Sequence, residues 1–319
     1  MHLFSTFLTS GLLLLGTQVA GYGQLETPPS EAASATIEAA VAAETPVVTP
    51  VEPTVGPVDA PVDAGLAKPV QVLTEAGMAY LPKGFHPVDG GYDVVIHFHG
   101  APGAVEGALD RVGLNAALLV MNLGIGSGAY EDKFADETAL DRVLPVIERT
   151  VAKNGGFGGA HVRRIALSAW SAGYGAVVHV LSFPKVAARI DAVLLADGMH
   201  AAYERGSHRV DPLRMVPFTR FAHEAKVGGK LMAISHSAID TMKYASTTET
   251  SAFLLADLGV RASTLGLEET RGMVMTSRAD ANGFHVEGFA GGDASAHCQH
   301  LLELGETLYP FLADRWNAR

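Results

Sequence analysis

The chain has 319 residues, a formal charge of −11 and a single cysteine, Cys298. One cysteine excludes an internal disulfide and a thiolate metal cluster. The acidic balance, with no basic run, argues against nucleic acid or anionic lipid as a partner.

Composition divides the chain in three. Residues 1–23 hold a short apolar core, Leu12 to Leu15, followed by Thr17-Gln18-Val19-Ala20-Gly21. This predicts a secretory signal peptide, with only His2 where Lys or Arg is usual. An uncut leader would be its only membrane contact. Residues 24–69 are rich in Ala, Pro, Val, Thr and Glu and contain no aromatic residue. Such a stretch cannot bury a core and predicts a disordered linker. Its seven acids and one base carry −6 of the charge, which leaves about −5 for residues 70–319. That remainder is long enough for one α/β domain with a full core. The expectation is a monomer, secreted or held in the periplasm or cell envelope.

Val70 to Leu81 predicts one or two early strands. Tyr92 to Phe98 is nearly continuous in β formers, as a buried parallel strand should be, and stops at His99-Gly100-Ala101. Ala117 to Asn122 is the next strand, followed by a glycine-rich loop to Tyr130. Leu140, Val143, Leu144, Ile147 and Val151 recur at helical spacing within Glu137 to Lys153, with a kink expected at Pro145. Arg164 to Ser168 is a strand, and Ile190 to Ala196 another, ending in Asp197-Gly198. Met199 to Gly229 reads as a long irregular insertion. Lys230 to Ser235 is a strand, Glu249 to Leu258 a helix, Gly283 to Phe289 the last strand, and Ala296 to Trp316 one closing helix. Alternating strands and helices predict an α/β fold: a mostly parallel central sheet with helices on both faces. In such sheets the site forms at the carboxyl ends of the strands.

Ala169-Trp170-Ser171-Ala172-Gly173 interrupts an apolar strand with small residues and runs straight into an apolar helix pattern. Strand, sharp turn and helix, with Ser171 at the apex, is the layout of a nucleophile elbow. The turn strains the serine backbone, so its neighbours must be small. Ala169 stands where Gly is usual. A serine nucleophile needs a base, an acid behind the base and donors for the oxyanion. His297, in a Gly- and Ala-rich stretch after the last strand, is the expected base, with His300 and His285 as competitors. Asp197 and Asp240 both follow strands and both remain open as the acid. The N–H groups of Ala172 and of the Gly100-Ala101 turn are the expected oxyanion donors. His99, Tyr130, Trp170 and His200 are candidate substrate contacts.

These residues resemble the α/β-hydrolase family of serine esterases and lipases over about residues 70–319. The resemblance implies an acyl-enzyme mechanism without a cofactor or metal, acting on a small-molecule or polymer ester, with an amide as the alternative. Family members place the acid after either of two strands, which leaves Asp197 and Asp240 open.

Two other readings come from different classes. His97 and His99 lie on one side of a strand at period two, a spacing that resembles the first strand of amidohydrolase barrels. A metal-dependent amidohydrolase would add groups such as His200 and His236. A non-catalytic hydrolase-fold binding module, tethered at a cell surface, would suit the leader and linker.

Overall fold

The computed structural model describes residues 65–270 and 272–317. The expected signal peptide, and the linker through residue 64, lie outside the described residues. Leu66 donates its N–H to Phe85 O at 3.0 Å and packs against the core.

Ten strands form one sheet in the order β1-β2-β4-β3-β5-β6-β7-β10-β9-β8. They are β1 (Val70–Leu73), β2 (Met78–Leu81), β3 (Gly91–Phe98), β4 (Ala116–Met121), β5 (His161–Trp170), β6 (Ile190–Ala196), β7 (Leu231–His236), β8 (Ser263–Thr270), β9 (Met273–Ala281) and β10 (Phe284–Phe289). The central run from β4 to β10 is parallel throughout. Two antiparallel strands flank it on each side. Every residue of β3 and β4 is buried. This is why those strands read as continuous apolar runs: both faces are covered, so alternation is lost.

Helices cover both faces. They are α1 (Pro102–Arg111), α2 (Gly128–Lys133), α3 (Ala139–Lys153), α4 (Tyr174–Ser182), α5 (Pro184–Ala187), α6 (Pro212–Lys226), α7 (Thr247–Leu258), α8 (Ala294–Leu302) and α9 (Tyr309–Asn317). Val94, Ile96, Leu167 and Val193 point to one core with residues of α3, α4, α6 and α7. Val95, Ala166, Trp170 and Leu194 point to the other, with α1, α8 and α9. Alternate residues of one strand thus serve opposite layers.

Two expectations need correction, and one pair of strands falls where no element was expected. Residues 212–226 form a helix, not an irregular insertion. Asp211 caps it by accepting the Leu213 N–H at 2.9 Å, and Pro212 opens it where a missing N–H costs nothing. The helical spacing of Met215, Phe218, Phe221, Ala222 and Ala225, all buried, was the readable sign of it. The closing segment is two helices, because the chain turns between α8 and α9. Gly305 lies in that turn, where an added Cβ would come 3.1 Å from the Ala108 backbone. Pro310 then sits in the first turn of α9, its favoured place. Finally, β8 and β9 extend the sheet as an antiparallel pair. The burial of β9 is mixed where a parallel core strand's would be continuous, so it carries a weak apolar pattern. Elsewhere the expected elements are found, and α3 continues through Pro145.

Candidate active site

Five non-glycine residues among those described have a left-handed backbone, and three of them end parallel strands: His99 (φ 69°), Ser171 (φ 49°) and Asp197 (φ 41°). Such conformations persist only where the surroundings enforce them, and they cluster at functional sites.

Ser171 opens a short 3-10 turn, Ser171–Gly173, that leads into α4. Its neighbours explain how the turn fits. A Cβ on Gly173 would lie 2.1 Å from the Phe98 carbonyl oxygen. One on Gly198 would lie 2.5 Å from both Ser171 N and Ser171 O. Bare backbone is therefore required at both places. Ala169, at the position where Gly is usual, is fully buried, and its methyl is accommodated in the strand. The N–H of Ala172 belongs to the first turn, where helix N–H groups have no partner within the helix.

Asp197 leaves the end of β6 directly beneath this turn. Its Oδ2 receives the Nδ1–H of His297 at 2.7 Å, and its Oδ1 accepts the Ser237 N–H at 3.0 Å. Burial pushes its carboxyl up. The His297 bond, the nearby His300 and His297 rings and the Ser237 N–H together outweigh this, and the carboxyl sits well below the ordinary range. Asp240 is exposed, and the hydrogen-bonded partner of His297 is Asp197. With Nδ1 committed to the carboxylate, Nε2 is the ring nitrogen left for a reacting group.

His297 lies on the first turn of α8 and not in the preceding loop. Asp293 caps that helix by accepting the Ala296 N–H at 2.9 Å. The competing histidines are otherwise engaged. His300 is buried and bonds Ser235 Oγ at 2.9 Å. His285 bonds Asp280 at 2.7 Å and stacks on Phe311.

The turn after β3 is held from several sides. His97 is fully buried; its Nε2–H donates to the His99 carbonyl at 2.8 Å, so its Nδ1 accepts from the Ser168 hydroxyl at 2.8 Å. Burial pushes this ring down to about 3, so it is neutral. The Gly100 N–H is spent on Asn122 Oδ1, at 2.8 Å, and so does not serve as an oxyanion donor. The Ala101 N–H is the next along the turn. Asn122 itself was missed in the sequence, where it reads only as the end of a strand.

Three candidate substrate contacts are buried and packed against protein groups. His99, Tyr130 and Trp170 are 6%, 0% and 1% exposed. Tyr130 pairs its hydroxyl with His99 Nδ1 at 2.8 Å and accepts the Leu123 N–H at 3.1 Å. The His99 ring stacks on Trp170. His200, partly exposed, stands edge-to-face with Tyr174 and Tyr244, and burial pushes its ring down to about 4. As for metal ligation, both nitrogens of His97 are bonded as described. His236 bonds the Ser237 carbonyl and Thr248. Among the described residues no group of three or more metal-binding side chains converges.

No protein-family model and no curated protein matches the chain. Solved structures similar to it include a thermophilic esterase from the Planctomycetes species Thermogutta terrifontis, at 15% identity, covering 72% of this chain and 85% of that one, with a TM-score of 0.40. A mutant of the esterase rPPE is 16% identical, with 89% and 86% covered and a TM-score of 0.38. A cold-adapted esterase from an Arctic intertidal metagenomic library is 12% identical, with 75% and 92% covered and a TM-score of 0.36. The chain's own geometry gives an α/β fold: a mostly parallel sheet covered by helices on both faces, with Ser171 on a strained turn after β5, Asp197 at the end of β6 and His297 on the helix that follows β10.

Proposed function

We propose that the protein is a serine hydrolase that cleaves a carboxylic ester through an acyl-enzyme on Ser171. Ser171 Oγ attacks the acyl carbonyl while His297 Nε2 takes its proton. Asp197 holds the ring in the productive tautomer and stabilises the imidazolium. The Ala172 and Ala101 N–H groups receive the oxyanion, in the positions this fold uses. His297 returns the proton to the leaving alcohol, and water then repeats the sequence on the acyl-enzyme. The chemistry needs no cofactor.

One observation carries the reading: a buried carboxylate bonded to His297 at 2.7 Å, on the strand next to a serine held at φ 49°. A packing role for Asp197 explains neither the strain at Ser171 nor the commitment of Nδ1. The test is labelling with a fluorophosphonate, followed by a panel of p-nitrophenyl esters. Labelling and hydrolysis are expected in the native protein and lost in Ser171→Ala. A native protein that reacts with neither would be a binding module.

A further inference from the structure

Trp170 precedes the nucleophile, yet its side chain faces the opposite layer from Leu167 and Ala169 and is 1% exposed. Its indole Nε1–H donates to the backbone carbonyl of His297 at 3.0 Å. Its ring contacts two imidazoles. His99 stacks on one side, with centroids 5.2 Å apart and planes at 8°. His297 lies 4.8 Å away, tilted by 30°. The elbow, the turn after β3 and the base are thus joined through one side chain.

This has a consequence for catalysis, resting on the esterase reading above. As the general base, the His297 ring takes up the serine proton and becomes an imidazolium. An indole face attracts a cation and is nearly indifferent to a neutral ring beyond ordinary packing. The attraction therefore grows as the transition state forms, which is when it raises the rate. The N–H···O=C bond acts separately, by fixing the start of α8 on which the base rides.

We propose that Trp170 is a positioning residue for the base: its N–H anchors the His297 backbone and its ring face favours the imidazolium. Other ionisable groups around His297 come from several elements. Asp197 stands at the end of β6, His200 follows it, and His300 lies one turn along α8 with His236 beyond it. His99 stands behind the indole. None of these changes when only Trp170 is replaced.

The experiment compares Trp170→Phe and Trp170→Leu in the native chain, by the pH profile of kcat/KM on a p-nitrophenyl ester. Phe keeps a ring and loses the N–H; Leu loses both. The expected results are a roughly threefold fall with an unmoved acidic limb for Phe. For Leu, a fall of roughly thirtyfold is expected, with the acidic limb about half to one pH unit lower. Equal profiles in all three forms overturn the proposal. A second readout needs neither activity nor a variant of Trp170. The chain has two tryptophans, Trp170 and Trp316. Protonating His297 should quench indole fluorescence, and this acid quenching should vanish in His297→Asn. Quenching that persists unchanged there also overturns the proposal. If fluorophosphonate fails to label the native protein, the esterase reading falls. The quenching result then separates the ring contact from that failure.

Discussion

Asn122 closes on Gly100 from both sides: its Oδ1 accepts the Gly100 N–H and its Nδ2 donates to the Gly100 carbonyl, each at 2.8 Å. An amide that grips both ends of one residue fixes the orientation of the peptide that follows. Here that peptide carries the Ala101 N–H. Asn122→Ala should lower kcat about 10- to 100-fold, because a donor displaced by an ångström loses most of its worth to the oxyanion. KM should change little. Steady-state kinetics on a p-nitrophenyl ester checks it, and an unchanged kcat would mean that the turn holds itself.

Asp197 and Asp240 can be told apart directly. Asp197→Asn keeps the shape but offers His297 a neutral partner and admits the wrong tautomer. A loss of about 10⁴ in kcat is expected, as for buried triad acids generally. Asp240→Asn, at an exposed position, should stay within about twofold of native. The reverse pattern would move the acid to Asp240.

His97 holds the turn after β3 from within the core. His97→Ala removes the acceptor of the Ser168 O–H and the donor to the His99 carbonyl, leaves Ser168 only the Tyr309 hydroxyl, and opens a cavity. The expected destabilisation is about 2–4 kcal/mol in a urea melt. A chelator should leave ester hydrolysis intact, since both His97 nitrogens are already bonded. Activity removed by a chelator and restored by zinc would revive the metal reading.

Glu287 on β10 is 4% exposed, and its Oε2 has no hydrogen-bond partner among the described residues. Burial pushes its carboxyl up to about 7, and Arg278, 3.8 Å away, offsets only part of this. Above the ordinary carboxyl range and up to about pH 7 the folded state holds a proton that the unfolded chain has lost. Stability should therefore fall as pH rises through that window. Glu287→Gln keeps the shape and removes the charge. It should match the native protein near pH 4 and exceed it by about 1–2 kcal/mol at pH 8, read by urea melts at both values. Equal stability at pH 8 would contradict the buried charge.

How far the sequence could be read depended on whether local or distant contacts set each feature. The parallel strands were legible because burial on both faces writes itself as unbroken apolar runs, as in β3 and β4. Ser171 was legible because the strain of its turn demands small residues within two positions. The 212–226 helix was obscured by Pro212 and Pro217, although its apolar face was there to be counted. Trp170, alone before the serine, read as a packing residue or a substrate contact. Nothing nearby in the chain reveals that its partner lies 127 residues away.

From its residues alone, then, this chain determined a mostly parallel α/β sheet and the strained strand-to-helix turn at Ser171, since periodicity and steric demand act over a few positions. Tertiary structure alone paired Asp197 rather than Asp240 with His297, committed the Gly100 N–H to Asn122 and set an indole against the His297 ring. Those outcomes depend on side chains from separate strand ends meeting at bonding distance. Strand register and helix packing create that proximity, and no run of neighbouring residues encodes it.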